Sequence, residues 1–249
     1  MEEFRIDPTI AYDVVELPSR GIHYKNNKKS LRVAYLTATD ENILSSPNLI
    51  QSNSVVPELL KRKVLDRDID VNELVEEDKQ AILIFLRNTA FGSEYKVRLV
   101  DPKTNEEFET KIDISSLSFK PFTLVADSNG EYPFTMPKSN VDITFKFMNQ
   151  KQENEIIEIG KSWNGIGIAP IKTKELEFMI KSVAGNRDGI NIRHFIDNLP
   201  IKDSQDFRKY VEEHKPGLDL NQKVIAPSGE EVQFNLGFGV EFFRPFWGL

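Results

Sequence analysis

Three histidines, 39 carboxylates and no cysteine bound the chemistry open to this 249-residue chain. His23, His194 and His214 stand far apart, and none falls in an H-x-x-x-H or H-E-x-x-H spacing, so the imidazoles outline no metal site. Without thiols there is no disulfide framework, thiolate zinc site, iron–sulfur cluster or cysteine nucleophile. No G-x-S-x-G elbow and no G-x-x-x-x-G-K-[ST] loop occurs. Gly165-Ile166-Gly167-Ile168-Ala169-Pro170 begins like a dinucleotide fingerprint. No convincing strand precedes it, and Pro170 stands where the last glycine should open a helix. Glu153 with Glu155 or Glu158 could supply paired carboxylates for glycoside cleavage, but on one helix such a series reads as a solvated face. A carboxylate-only magnesium site carries no weight, because so many acids can always be arranged into one. The expectation is a non-enzymatic chain without a cofactor.

Charge narrows the partners. The formal net charge is −7, and the basic runs Lys28-Lys29 and Lys61-Arg62-Lys63 are balanced by nearby acids, which argues against nucleic acid. No apolar stretch approaches the roughly 18 residues a membrane span needs. The opening MEEFRIDPTIAYD is acidic where a secretory signal would be basic and then apolar. A protein partner in a cytoplasm is the reading that remains.

The elements that must position any contact residues follow from periodicity. LRVAYLTAT (31–39) is rich in strand formers, and Thr37 or Thr39 offers a helix cap ahead of Asp40 and Glu41. Val56, Leu59, Leu60 and Val64 repeat at helical spacing behind Ser54 and Pro57. Asp70 and Glu73 form a D-x-x-E pattern before Leu74, and Ile82, Phe85, Leu86 and Ala90 continue to Gly92, a natural C-terminal glycine. Residues 40–91 are therefore expected to form three or four helices with Leu59, Leu60, Val64, Leu74, Ile82, Phe85 and Leu86 in the core. YKVRLVD (95–101) and FETKIDI (108–114) alternate around a Pro-Lys-Thr-Asn turn, which predicts a hairpin. Strands are expected over 122–137 and 141–148, and helices over 153–163, 173–183 and 190–214, the last divided at Pro200. The whole reads as α+β: an N-terminal helical lobe with a hairpin over 1–115 and a mixed lobe over 116–249, ending in a hairpin and an aromatic tail.

Two features stand out. Val100-Asp101-Pro102 leading to Glu106-Glu107-Phe108 is echoed by Ile225-Ala226-Pro227 leading to Glu230-Glu231-Val232. The echo reads either as shared turn chemistry or as a related hairpin in each lobe. The other feature is the tail. Alternation from Phe234 to Phe242 predicts a half-buried strand, and Pro245 should end the ladder and release the residues beyond it. Phe242, Phe243, Phe246 and Trp247 are then candidate anchors for another subunit, in a homo-oligomer or on a different protein, because aromatic residues dominate interface energetics. Covering the edge of the chain's own core is the competing role for them. Arg20, in the Pro18-Ser19-Arg20-Gly21 turn, is a candidate contact residue.

Several short motifs resemble the baseplate hub and hub-assembly proteins of contractile-tailed, T-even-type phages. They are L-P-S-x-G-x-x-Y (Leu17, Pro18, Ser19, Gly21, Tyr24) and T-A-x-x-E-x-I-L (Thr37, Ala38, Glu41, Ile43, Leu44). A third runs D-x-x-x-L-x-x-x-D to L-R and then G-x-x-Y (Asp70, Leu74, Asp78, Leu86, Arg87, Gly92, Tyr95), and Phe242-Phe243-Arg244-Pro245 resembles an aromatic element near the end of such chains. The resemblance implies a protein that builds the tail baseplate, as a hub component or an assembly factor, binding other baseplate or hub proteins. It implies location in the host cytoplasm during assembly or in the virion tail baseplate. It offers no catalytic residues. Some relatives carry Cys pairs at the hairpin turns; Asp101, Asn105, Ala226 and Gly229 stand there in this chain, so plain turns replace any metal knuckle. A tail-associated cell-wall hydrolase, or a scaffold of another virion complex, is the alternative function.

Overall fold

A computed structural model describes residues 10–24, 27–52, 54–165, 167–238 and 240–243. The protein is α+β and divides into two compact units, residues 1–120 together with 217–249, and residues 121–216. The second unit is thus an insertion within the first, and not the C-terminal half expected from a division at 115. The stretches that bracket it run side by side: Lys120 N–H donates to the Gly217 carbonyl at 2.8 Å and Asp219 N–H to Ser118 at 2.9 Å.

In unit 1, β1 (Tyr12–Glu16) pairs antiparallel with β2 (Ser30–Ala34), Val15 opposite Leu31. Only Val15 of the five residues of β1 is buried, so this strand carries little hydrophobic pattern of its own. Helices α1 (Ala38–Ser45), α2 (Pro47–Gln51), α3 (Val55–Lys63) and α4 (Glu76–Phe91) follow. The expected D-x-x-E cap forms instead a short 3-10 turn, Val71–Glu73, with Asp70 accepting from Asn72 N–H. α4 carries Glu76, Glu77 and Asp78 in its first turn, where the helix dipole favours carboxylates, and ends at Gly92 with φ 80°.

Leu59, Leu60, Val64, Leu74, Ile82 and Leu86 are buried as their spacing predicts, while Phe85 is half-buried and stacks on Tyr35 at 5.8 Å. Hairpins β3–β4 (Glu94–Val100, Glu107–Asp113) and β8–β9 (Asn221–Ile225, Glu231–Asn235) complete this unit. Each turns one half-buried face inward and an exposed face outward. Leu218, Leu236, Phe242 and Phe243 join the same core as Leu59 and Ile82. The two echoed hairpins therefore belong to one unit and not to one lobe each.

Unit 2 holds the antiparallel sheet β5–β6–β7 (Tyr132–Thr135, Asp142–Phe145, Ile180–Val183) and helices α5 (Gln150–Ser162), α6 (Ile171–Met179), α7 (Gly189–Asp197) and α8 (Ile201–His214). The strand expected over 122–137 is confined to its last third, and the helix expected over 173–183 breaks at Ile180 into β7. The core is aromatic: Phe145 meets Phe207 edge-on at 5.3 Å, and Phe134 lies 4.7 Å from Tyr210. Asp203, wholly buried at the start of α8, accepts from the amides of Lys138 and Ser139 and fixes the β5–β6 turn to that helix.

Candidate protein-interaction site

The L-P-S-x-G-x-x-Y stretch forms a clamped loop on unit 1. Ser19 donates its amide to Asp78 Oδ1 at 2.9 Å and its hydroxyl to Oδ2 at 2.6 Å. Tyr24 Oη donates to the same Oδ2 at 2.6 Å and accepts from Val75 N–H at 3.0 Å. Leu17, two residues before Ser19, is buried in the core. Burial pushes the Asp78 carboxyl above its usual range against the pull of the Ser19 and Tyr24 hydrogen bonds. Burial and the neighbouring Asp78 together push the Tyr24 phenol up.

Gly21 is dictated by space. Its φ is 77°, and a Cβ there would lie 2.6 Å from the Asn27 carbonyl carbon and 2.7 Å from the Lys28 oxygen. Arg20 also takes a left-handed conformation, φ 55°, and its N–H donates to the Leu17 carbonyl at 2.9 Å. A non-glycine residue held at positive φ costs backbone energy, which the clamp on either side must offset. Arg20 is exposed.

The other motif residues also form internal clamps. Thr37 donates its amide and hydroxyl to Asp40 Oδ2 at 2.7 and 2.8 Å. Asp40, wholly buried, also pairs with the Lys63 ammonium, and Arg62 Nε lies 3.0 Å from Oδ1. Burial would raise this carboxyl, but Lys63 and Thr37 hold it below its usual range. Arg87, with no exposed surface, donates to the carbonyls of Gly92 and Glu94. Its guanidinium lies 5.1 Å from the Tyr95 ring centre and 5.8 Å from that of Phe242, and burial lowers its pKa.

The tail is placed differently from the expectation. β9 ends at Asn235, and a 3-10 turn over Val240–Phe243 swings Phe242 onto Tyr95 at 5.2 Å, with 1% of its surface exposed. Phe243, 2% exposed, packs edge-on against Phe242. Both are buried in the chain's own core, the competing role that the sequence allowed them, and Phe242 lends its ring to the buried Arg87. Phe246 and Trp247 lie outside the described residues.

The carboxylates considered for catalysis lie along α5. Glu153 pairs with Lys215 at 3.2 Å and Glu158 with Lys161 at 2.8 Å, and Glu155 is exposed. His214 stacks on Tyr210 at 4.0 Å. Among the described residues no group of three or more His, Cys, Asp and Glu could hold a metal ion, and no helix is long and apolar enough to cross a membrane.

No curated protein and no solved structure matches the chain. A family model does, the T4 bacteriophage base plate protein, over residues 12–244. That span takes in both units and every motif residue clamped in unit 1, and the chain therefore belongs to the T4 bacteriophage base plate protein family.

Proposed function

We propose that this baseplate protein is a non-enzymatic hub component or assembly factor that works through protein contacts made during assembly in the host cytoplasm. The observation that carries the reading is the Ser19–Asp78–Tyr24 clamp, which fixes a loop in which Arg20 is exposed at φ 55°. Such backbone strain, held by over-determined surroundings, fits a residue kept in one geometry for recognition. An arginine suits a carboxylate-bearing partner, because its planar fork of donors matches a carboxylate bidentately. Phe246 and Trp247 are further contacts in this reading, for a second copy or for another hub protein. Nucleic acid is not a partner at a net charge of −7.

Arg20→Glu tests it. The variant should fold normally yet lose at least tenfold in affinity for the baseplate protein that the wild-type chain binds. Normal binding by the variant would remove Arg20 from the interface. A hydrolase would instead release peptidoglycan fragments in a manner abolished by alanine at Glu153, Glu155 and Glu158. Presence in purified mature virions points to a hub component, and presence only in infected-cell extracts points to an assembly factor.

A further inference from the structure

The two echoed turns meet. Asp101, 2% exposed, accepts from Lys103 N–H at 2.9 Å in its own turn, and from Ser228 Oγ at 2.7 Å and Ser228 N–H at 3.0 Å in the other. The turns are built alike. Asp101 N–H donates to the Glu106 carbonyl and Ala226 N–H to that of Glu230, while Asn105 (φ 59°) and Gly229 (φ 88°) supply the left-handed residue. The sequence echo is thus a structural repeat joined at its tips by one carboxylate.

The outward faces of both hairpins carry ion pairs: Arg98–Glu109 at 2.9 Å and Lys111–Glu94 at 2.6 Å away from the first tip, and Lys223–Glu231 at 3.0 Å reaching the second. At each tip an aliphatic residue joins the charged ones. Val100 stands opposite Glu107 and Ile225 opposite Glu231, so each cross-strand pair sets an aliphatic residue against a carboxylate. Val100 is 50% exposed and Ile225 65%, and the neighbouring Glu106, Glu107, Glu230 and Glu231 are all exposed. Lys103 lies in the first turn, and Lys223 is engaged by Glu231.

We propose that this clasped tip docks a lysine- and arginine-bearing segment of another baseplate protein, with Val100 and Ile225 as the apolar contacts and Glu106, Glu107 and Glu230 as the charged rim. Charge selects the occupant. A second copy presenting the same tip would bring like carboxylates against one another, whereas a basic segment gains attraction at each and is steered toward the tip. Two aliphatic side chains at repeated positions give that segment area to cover, and the Asp101–Ser228 clasp holds both turns in place before binding. The surface is built from other residues than the Arg20 loop, and the inference rests on the reading that the protein works through baseplate contacts.

The absence of cysteine permits a direct test. Val100→Cys and Ile225→Cys, each labelled with a benzophenone maleimide, are irradiated during reconstitution with the purified baseplate proteins of the same virion. Asn235→Cys, exposed at the far end of β9, is the control. Both tip sites should cross-link the same segment of one partner, rich in Lys and Arg, at least tenfold above the control, and less at high salt. Adducts to a second copy, adducts to an acidic or neutral segment, or none above the control would overturn the proposal. Charge reversal at Glu106, Glu107 and Glu230 should weaken binding of that partner at least tenfold. The milder Val100→Ser/Ile225→Ser pair should do the same if the charge-reversed chain fails to fold. Should that pair bind normally while wild type still joins baseplates, the tip proposal fails and the contact-based function stands. Should wild type join no baseplate protein, the function itself fails.

Discussion

Ser19 gives both of its hydrogen-bond donors to Asp78, 59 residues further along the chain, and the two residues come from different family motifs. The motifs are therefore the two halves of one clamp, with Tyr24 as its third member.

Tyr24→Phe removes one donor from Asp78 and leaves Val75 N–H without its acceptor. Denaturant unfolding should show a loss of about 1–3 kcal/mol, the range for an unsatisfied buried polar group. Because the Tyr24 hydrogen bond lowers the Asp78 pKa, the variant should raise it further, as seen by carboxyl NMR titration. In wild type, the folded-state pKa of Asp78 already lies above the unfolded value of about 3.9. Its contribution is then fully present below that value and lost as pH rises through the folded pKa. An unchanged titration would count against the clamp.

Neighbouring positions with the same sign of φ should respond oppositely. Gly21→Ala adds a Cβ against the Asn27 backbone and should cost more than about 1 kcal/mol. Arg20→Gly relieves a left-handed residue and should leave thermal stability unchanged or slightly raised, while still losing partner binding. Equal destabilisation by the two would contradict the strain at Arg20.

Lys63→Met removes the buried cation from Asp40 and leaves the carboxylate only the half-exposed Arg62 as a charged partner. A loss of roughly 3–5 kcal/mol is expected, as for a buried pair broken from one side. The depressed Asp40 pKa stabilises the fold above the ordinary carboxylate value and stops doing so as pH falls through the folded one. Acid unfolding of Lys63→Met should accordingly begin at higher pH than in wild type. Coincident acid transitions would show that Lys63 does not compensate Asp40.

The tail separates into two parts with different expected behaviour. Phe242→Ala should destabilise the chain by about 3–5 kcal/mol, because a buried ring is lost beside Arg87 and Tyr95. Deleting 244–249 should leave the melting temperature nearly unchanged and weaken association measured by ultracentrifugation. A deletion that unfolds the monomer would make the whole tail core.

Much of unit 1 is legible locally. Leu59 and Leu60 with Val64, and Ile82 with Leu86, carry helical spacing that tertiary packing then uses, and the hairpins follow from alternation flanking Pro-containing turns. Other features depend on partners distant in sequence. Leu176, Met179, Ile180 and Val183 continue a helical period, so only pairing with Ile143 and Phe145 reveals that Ile180 starts a strand. Nothing local in Lys120 or Gly217 announces that they are neighbours, and the insertion therefore reads as a C-terminal half. Alternation carries Phe242 toward a strand end near Pro245, whereas the ring it meets, Tyr95, lies far back along the chain. Ser19, Tyr24 and Asp78 are visible in the sequence as motif residues, but their meeting at one carboxylate is not.

Sedimentation of the purified wild-type chain and of Arg20→Glu with purified proteins of the same baseplate, under matched salt, tests the central claim most directly. The account predicts that wild type moves into a faster-sedimenting complex and that Arg20→Glu, folded by circular dichroism, remains at the position of the isolated chain. Wild type that stays unassociated with every baseplate protein would contradict it.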